Sequence, residues 1–254
     1  MNRETAQDIG STVDPAEVAQ FDAMAATWWD PRGKMRALHM INPVRIGYIR
    51  DAACRHFDRD RKRLDCLHDL RILDIGCGAG LLSEPLARIG AKVVGADPSE
   101  TNIKMAQVHA QQSDLAIDYR PVTAEDLADA GERFDVVLAM EVVEHVADVP
   151  LFVRRCAEMV KPGGLMIAAS INRTMKSYLF AILGAEYILG LLPRGTHHWE
   201  KLVLPEELET AMENNGLEVI DERGVTLDVF AGELRLSNDT DVNYMVLAAR
   251  PRDP

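Results

Sequence analysis

Leu70-Arg-Ile-Leu-Asp-Ile-Gly-Cys-Gly-Ala-Gly80 decides how this chain folds. Its first half is a short apolar run of the kind that forms a buried parallel strand. It then breaks into glycines at alternate positions, Gly76, Gly78 and Gly80, and an apolar pattern compatible with a helix resumes over 81–89. A strand, a glycine turn and a helix bring backbone N–H groups up to a nucleotide-like ligand. Glycine is required where a Cβ would obstruct the turn or the approaching ligand.

The residues around the glycines choose the ligand. A dinucleotide fingerprint counted from Gly76 wants glycine at position 81, where Leu81 stands. Asp74, two residues before the first glycine, would repel a pyrophosphate. The same carboxylate suits a ligand carrying an ammonium and a sulfonium, as S-adenosylmethionine (SAM) does. A second acid, Asp97, ends the apolar run 91–96, about 20 residues on from the glycines, where a strand-end acid binds ribose hydroxyls. Capping of the following helices is the plainer use of either acid. The two acids together with the glycines favour SAM.

Working outward, the 254 residues suffice for one large core, and a 47% apolar share with 27% charged residues is globular. The net charge of −12 argues against a nucleic-acid binder, which needs a basic face. Cys54, Cys66, Cys77 and Cys156 show no C-x-x-C spacing and read as reduced thiols of a cytoplasmic protein. Met1-Asn-Arg-Glu-Thr5 has no apolar signal core, and no run reaches the ~18 residues of a membrane span.

Asp14-Pro-Ala-Glu17 reads as a helix start, with Asp14 as N-cap and Glu17 three residues later, followed by Val18, Phe21, Ala25 and Trp28 on one face. The pair Trp28-Trp29 ends that helix, either to pack on the core or to line a lid over a ligand. A second helix is expected after Pro43. Strands are expected at 71–75, 91–96, 134–140 and 164–171, with a weaker edge strand at 116–120. Helices fall at 80–89, 99–113, 148–160 and 205–215, and two last strands at 217–226 and 242–249. Such alternation implies a parallel sheet covered on both faces.

Several segments together match one family. They are Phe21 with Trp28-Trp29-Asp30, the run Leu38-His-Met-Ile-Asn-Pro-Val-Arg45, Leu73 to Gly78, Met140-Glu-Val-Val-Glu-His-Val146, Val160-Lys-Pro-Gly-Gly164, Asn172-Arg173, Gly184-Ala-Glu-Tyr-Ile188, Pro193 to His197 and Asp241-Val-Asn-Tyr-Met245. On these the chain resembles the SAM-dependent O-methyltransferases of ubiquinone biosynthesis. The resemblance implies an α/β, Rossmann-like class I methyltransferase with a seven-stranded, mostly parallel sheet, helices on both faces and an N-terminal helical cap. It implies a single domain over 1–254, divided into a cap (1–69), a SAM-binding half (70–172) and a substrate- or lipid-facing part (173–254). Carried over by position, the SAM contacts fall on Arg45, Gly76, Asp97 and Met140. Arg45 would take the methionine carboxylate, and Asp97 the ribose. Glu125-Asp126 stand where relatives hold the adenine. The implied reaction is O-methylation of polyprenyl catechol-type intermediates, namely 2-polyprenyl-6-hydroxyphenol and 3-demethylubiquinol. Another small phenol or amine is the alternative acceptor, and a non-catalytic assembly protein on a lipid surface is the alternative of another class.

A phenol of pKa ~10 must be deprotonated or polarised before it attacks. Glu141-Val-Val-Glu144-His145 follows the fourth strand, and a helical turn there would put the three polar side chains on one face. Two roles stay open. His145, with Glu144 beside it, acts as the catalytic base, or Glu141, Glu144 and His145 hold Mg²⁺ on a catechol. The apolar run Ser177–Leu192 is flanked by Arg173, Lys176, Arg194 and Lys201, a pattern that suits a buried helix, a dimer interface or contact of 173–201 with an anionic membrane surface; the polyprenyl substrate that the resemblance implies favours the membrane. The expected location is cytoplasmic, peripheral on the inner face of the cell membrane, with ubiquinone-biosynthesis proteins as partners and no nucleic acid.

Overall fold

A computed structural model describes residues 11–177, 201–228 and 231–252. Eight strands form one sheet in the order β3-β2-β1-β4-β5-β8-β6-β7. The parallel part comprises β1 (Arg71–Ile75), β2 (Lys92–Ala96), β3 (Asp118–Arg120), β4 (Phe134–Met140) and β5 (Val160–Ile171). β6 (Glu218–Asp228) and β8 (Asn243–Ala249) continue it with antiparallel pairing. The expected seven strands become eight because β7 (Glu233–Ser237) folds back on the far half of β6 as a hairpin. Its alternation, Glu-Leu-Arg-Leu-Ser after Gly232, was legible as a strand. Leu227 and Leu236 of this hairpin remain exposed, so it adds length to the sheet edge and little core.

Side chains alternate between two cores. Val136 and Leu138 of β4, Leu165 and Ile167 of β5, and Met245 and Leu247 of β8 face α2 (Arg36–His56) and α3 (Ser83–Arg88). Their neighbours Val137, Ala139, Met166, Ala168, Val246 and Ala248 face α5 (Ala124–Asp129), α6 (Val149–Glu158) and α8 (Pro205–Glu213). This period of two with both faces buried explains why the central strands read as continuous apolar runs. Each such valine, leucine, isoleucine or methionine, removed from water, contributes about 1.5–3 kcal/mol before the cost of ordering it. α4 (Glu100–Gln112) lies beside β3, its Ile103, Ala106 and Ala110 against Tyr119.

The N-terminal region departs from the sequence expectation in two ways. α2 begins at Arg36, seven residues before Pro43, and carries Pro43 inside it. Proline there supplies no N–H to the preceding turn, a loss that the burial of Tyr48, Ile49, Ala52 and Ala53 in the sheet core outweighs. α2 is therefore a layer of the sandwich, not part of a separable cap. The cap proper is α1 (Pro15–Asp22), the 3₁₀ turn Ala25–Thr27 and the segment up to Met35. A short α7 (Met175–Ser177) follows β5. Downstream of β4 the Lys161-Pro-Gly-Gly164 stretch does not merely stop a helix. It forms an irregularity inside β5, where pairing with β4 jumps from Phe134–Val160 to Val136–Leu165.

Candidate active site

The order of the sheet reverses between β1 and β4, and ligands of such sheets lie outside the carboxyl ends of the strands at that point. The glycine turn sits there. Gly76, Gly78 and Gly80 all have positive φ, at 68°, 52° and 88°. A Cβ on Gly76 would run into Val142, and one on Gly78 into the Trp28 ring. The protein's own packing thus demands glycine here as much as any ligand does.

Two adjoining cavities open at this edge, with about 750 and 1280 Å³ of empty space that includes open solvent. Phe21, Trp28, Gly76, Glu141 and His145 line both. The first runs past Asp97, Ser99, Asn102 and Thr123 to Val142, Val146 and Phe152 under the cap residues Thr12 to Val18. The second holds Arg45, Asp74, Met140 and Asn243 among Met35, Leu38, Ile41, Leu81, Leu82 and Ile171. Apolar walls carrying a few placed polar groups, in this size range, suit a small-molecule ligand.

Asp97 is buried, and each carboxylate oxygen accepts a backbone N–H, from Gly78 and from Ser99, both at 2.9 Å. Burial raises its pKa despite those donors. Asp74 accepts from Ser83 Oγ at 2.5 Å, and burial, with the Asp97 charge adding to it, lifts its pKa to about 7. Arg45 is buried on α2, not a solvated charge, and forms an ion pair with Glu141, which its backbone places in a left-handed conformation (φ 59°). Arg45 Nε has no hydrogen-bond partner. Met140, the last residue of β4, turns its half-buried side chain to the second cavity. All four expected SAM contacts therefore line the cavities, Asp97 in the first, Arg45 and Met140 in the second and Gly76 in both.

The Glu141–His145 turn forms, as a 3₁₀ turn over Val143–His145, but its three polar side chains take separate surroundings. Glu141 goes to Arg45. Glu144 is buried with neither carboxylate oxygen hydrogen-bonded, and burial, together with the Glu141 charge, pushes its pKa well up. His145 Nδ1 lies 3.0 Å from Glu17 Oε2 and its ring meets Phe21 edge-on at 5.0 Å. Among the described residues no cluster of three or more His, Cys, Asp or Glu is disposed to hold a metal ion. The expected Mg²⁺ triad is not assembled among the described residues, because Glu141 is drawn to Arg45 and His145 to Glu17. Glu144 lines neither cavity, which leaves His145 as the titratable group of that pair facing ligand space.

The cap supplies residues the sequence reading did not place. Glu17 does not complete a capping box; Asp14 caps α1 through Ala16 N, and Glu17 turns inward to His145 and to Lys201 Nζ at 2.7 Å. A carboxylate one helical turn before Phe21, on the apolar face, was the available signal. Trp29 donates Nε1–H to Ala79 O at 3.0 Å and stacks on His109 at 3.4 Å, so the expected lid tryptophans clamp the glycine turn itself. Asp126 closes a capping box with Thr123, and Glu125 accepts from Thr12 N, so neither faces a ligand as expected. Of the cations thought to face lipid, Arg173 pairs with Glu207, Lys176 with Asp239 and Asp241, and Lys201 with Asp14 and Glu17. The apolar run itself, Arg194 and His197 lie outside the described residues.

Residues 45–222 match a family model described as a methyltransferase domain. The chain is 61% identical over 241 residues to the ubiquinone biosynthesis O-methyltransferase of Rhizobium etli, covering 95% of this chain and 97% of that protein. It is 59% identical over 247 residues to the protein of the same name from Bradyrhizobium diazoefficiens, covering 97% of both. Among solved structures, magnesium protoporphyrin IX methyltransferase of Synechocystis PCC 6803 with bound SAH superposes with a TM-score of 0.62 at 20% identity, over 91% of this chain and 94% of that one.

Proposed function

The chain belongs to the ubiquinone biosynthesis O-methyltransferases, and from that premise we propose that its two joined cavities together hold SAM and the phenol of a SAM-dependent O-methylation. The observation that supports this is their meeting at Gly76, Glu141 and His145, with an acid at one end and a buried arginine at the other. SAM supplies an electrophilic methyl on sulfur. Asp97 accepts from the ribose hydroxyls in the first cavity, and Arg45 takes the amino-acid carboxylate in the second, leaving Glu141 for the ammonium. Met140 presents a soft, polarisable wall to the sulfonium.

The phenol enters over Leu38, Ile41, Leu81 and Leu82, whose apolar surface accepts a ring bearing a prenyl chain. His145 takes the phenol proton as the new O–CH₃ bond forms and the C–S bond breaks, its electron pair passing to sulfur. The apolar cap excludes water from the exchange. Polyprenyl catechol-type compounds, 2-polyprenyl-6-hydroxyphenol and 3-demethylubiquinol, are the proposed acceptors. The test is calorimetry with SAM and its demethylated product, followed by transfer of labelled methyl to a prenylated catechol. Tight SAM binding with labelled product is expected; no affinity for either nucleoside sinks the assignment, and SAM binding with an unmodified catechol removes the acceptor.

A further inference from the structure

Glu17 sits in the cap, 128 residues from the turn that carries His145, yet the two side chains meet at 3.0 Å. Glu17 is 7% exposed and is held from its other side, Lys201 Nζ donating to Oε1 at 2.7 Å and to Asp14 Oδ2 at 3.0 Å. We propose that Glu17 is a positioning residue for the methyl transfer, fixing the tautomer and orientation of His145 so that Nε2 faces the phenol, with Lys201 bracing it. This rests on His145 being the base, as the proposed function has it.

The argument runs through the hydrogen. An ionised carboxylate only accepts. Each Glu17 oxygen meets a nitrogen, His145 Nδ1 at Oε2 and Lys201 Nζ at Oε1, an arrangement that favours the ionised carboxylate. The hydrogen between the two groups therefore belongs to His145 Nδ1, and in the neutral ring the lone pair is on Nε2. Phe21, edge-on to the ring at 5.0 Å, blocks its rotation away. When the phenol gives its proton to Nε2 the ring becomes a cation beside a carboxylate already in place, so the charge that develops needs no reorganisation. The orienting acid comes from α1 and its brace from the far end of the chain at Lys201.

Glu17→Gln, His145→Ala and the double variant are compared by SAM calorimetry, steady-state kinetics on a prenylated catechol, and ¹⁵N-histidine NMR. In E17Q, kcat falls on the order of ten- to a hundred-fold, SAM affinity stays within about twofold, and the His145 signals lose the pure Nδ1–H pattern. In the H145A background the same change costs nothing further. A kcat loss from E17Q that is equally large without His145 makes Glu17 structural and overturns the proposal, as does an unaltered tautomer. Full activity in H145A removes the base reading itself, and the catalytic role of Glu17 with it, while SAM binding and product formation leave the methyltransferase assignment standing. Should E17Q not fold, Lys201→Met probes the same linkage, with a few-fold loss in kcat that H145A suppresses.

Discussion

Asp74 gives the site a pH dependence that a ligand can read. With no cation beside it, burial holds its proton up to about pH 7, against an ordinary value of 3.8. An acid that binds its proton more tightly folded than unfolded makes unfolding easier as pH climbs. The decline in unfolding free energy attributable to Asp74 spans about pH 4 to about pH 7 and is complete above that. A ligand bearing an ammonium and a sulfonium favours the ionised form. SAM binding at pH 6 is therefore expected to expel a proton, seen as a binding enthalpy that changes with the ionisation heat of the buffer. Asp74→Asn should abolish that dependence; its persistence would assign the proton to another group.

At the scale of elements, the cap is fastened to the glycine turn through its two tryptophans, Trp28 packed on Gly78 and Trp29 hydrogen-bonded to the turn. Trp29 bonds the turn's Ala79 carbonyl and stacks flat on His109 of α4, while Glu84 of α3 holds His109 Nδ1 at 2.6 Å. Trp29→Ala removes the ring from between two rigid helices and leaves a carbonyl without its donor. A loss of about 2 kcal/mol in unfolding free energy is expected, with weaker SAM binding because the turn loosens. Thermal unfolding and calorimetry check both, and an unchanged SAM affinity would show that the turn is rigid without the cap. Pro43 makes a related point about α2. The sequence placed a helix start at it, by the rule that proline favours the first turn, but core contacts of Tyr48, Ile49 and Ala52 carry the helix through it.

Over the whole molecule, no helix among the described residues is long and apolar enough to cross a membrane. Arg173, Lys176 and Lys201 are already neutralised by acids of this chain. Vesicle binding, if the 177–192 run anchors the protein, is then governed by apolar insertion. Raising salt from about 0.05 to about 0.3 M should change co-sedimentation less than about threefold. Sharp release by salt would return the role to basic residues.

The central strands, the glycine turn, the two acids and the family were readable in sequence, because each is a local pattern: period two, alternate glycines, an acid at a strand's end. The eighth strand was written in Glu233–Ser237 but too short and exposed to stand out. What only tertiary structure decided is which polar groups meet. Helical spacing predicted that Glu141, Glu144 and His145 converge, but partners from distant segments, Arg45 for Glu141 and Glu17 for His145, draw them apart. Glu17 and His145 are joined across 128 residues by how α1 lies on the sheet. Side-chain partnership between distant segments depends on how whole elements pack, and no local periodicity encodes it.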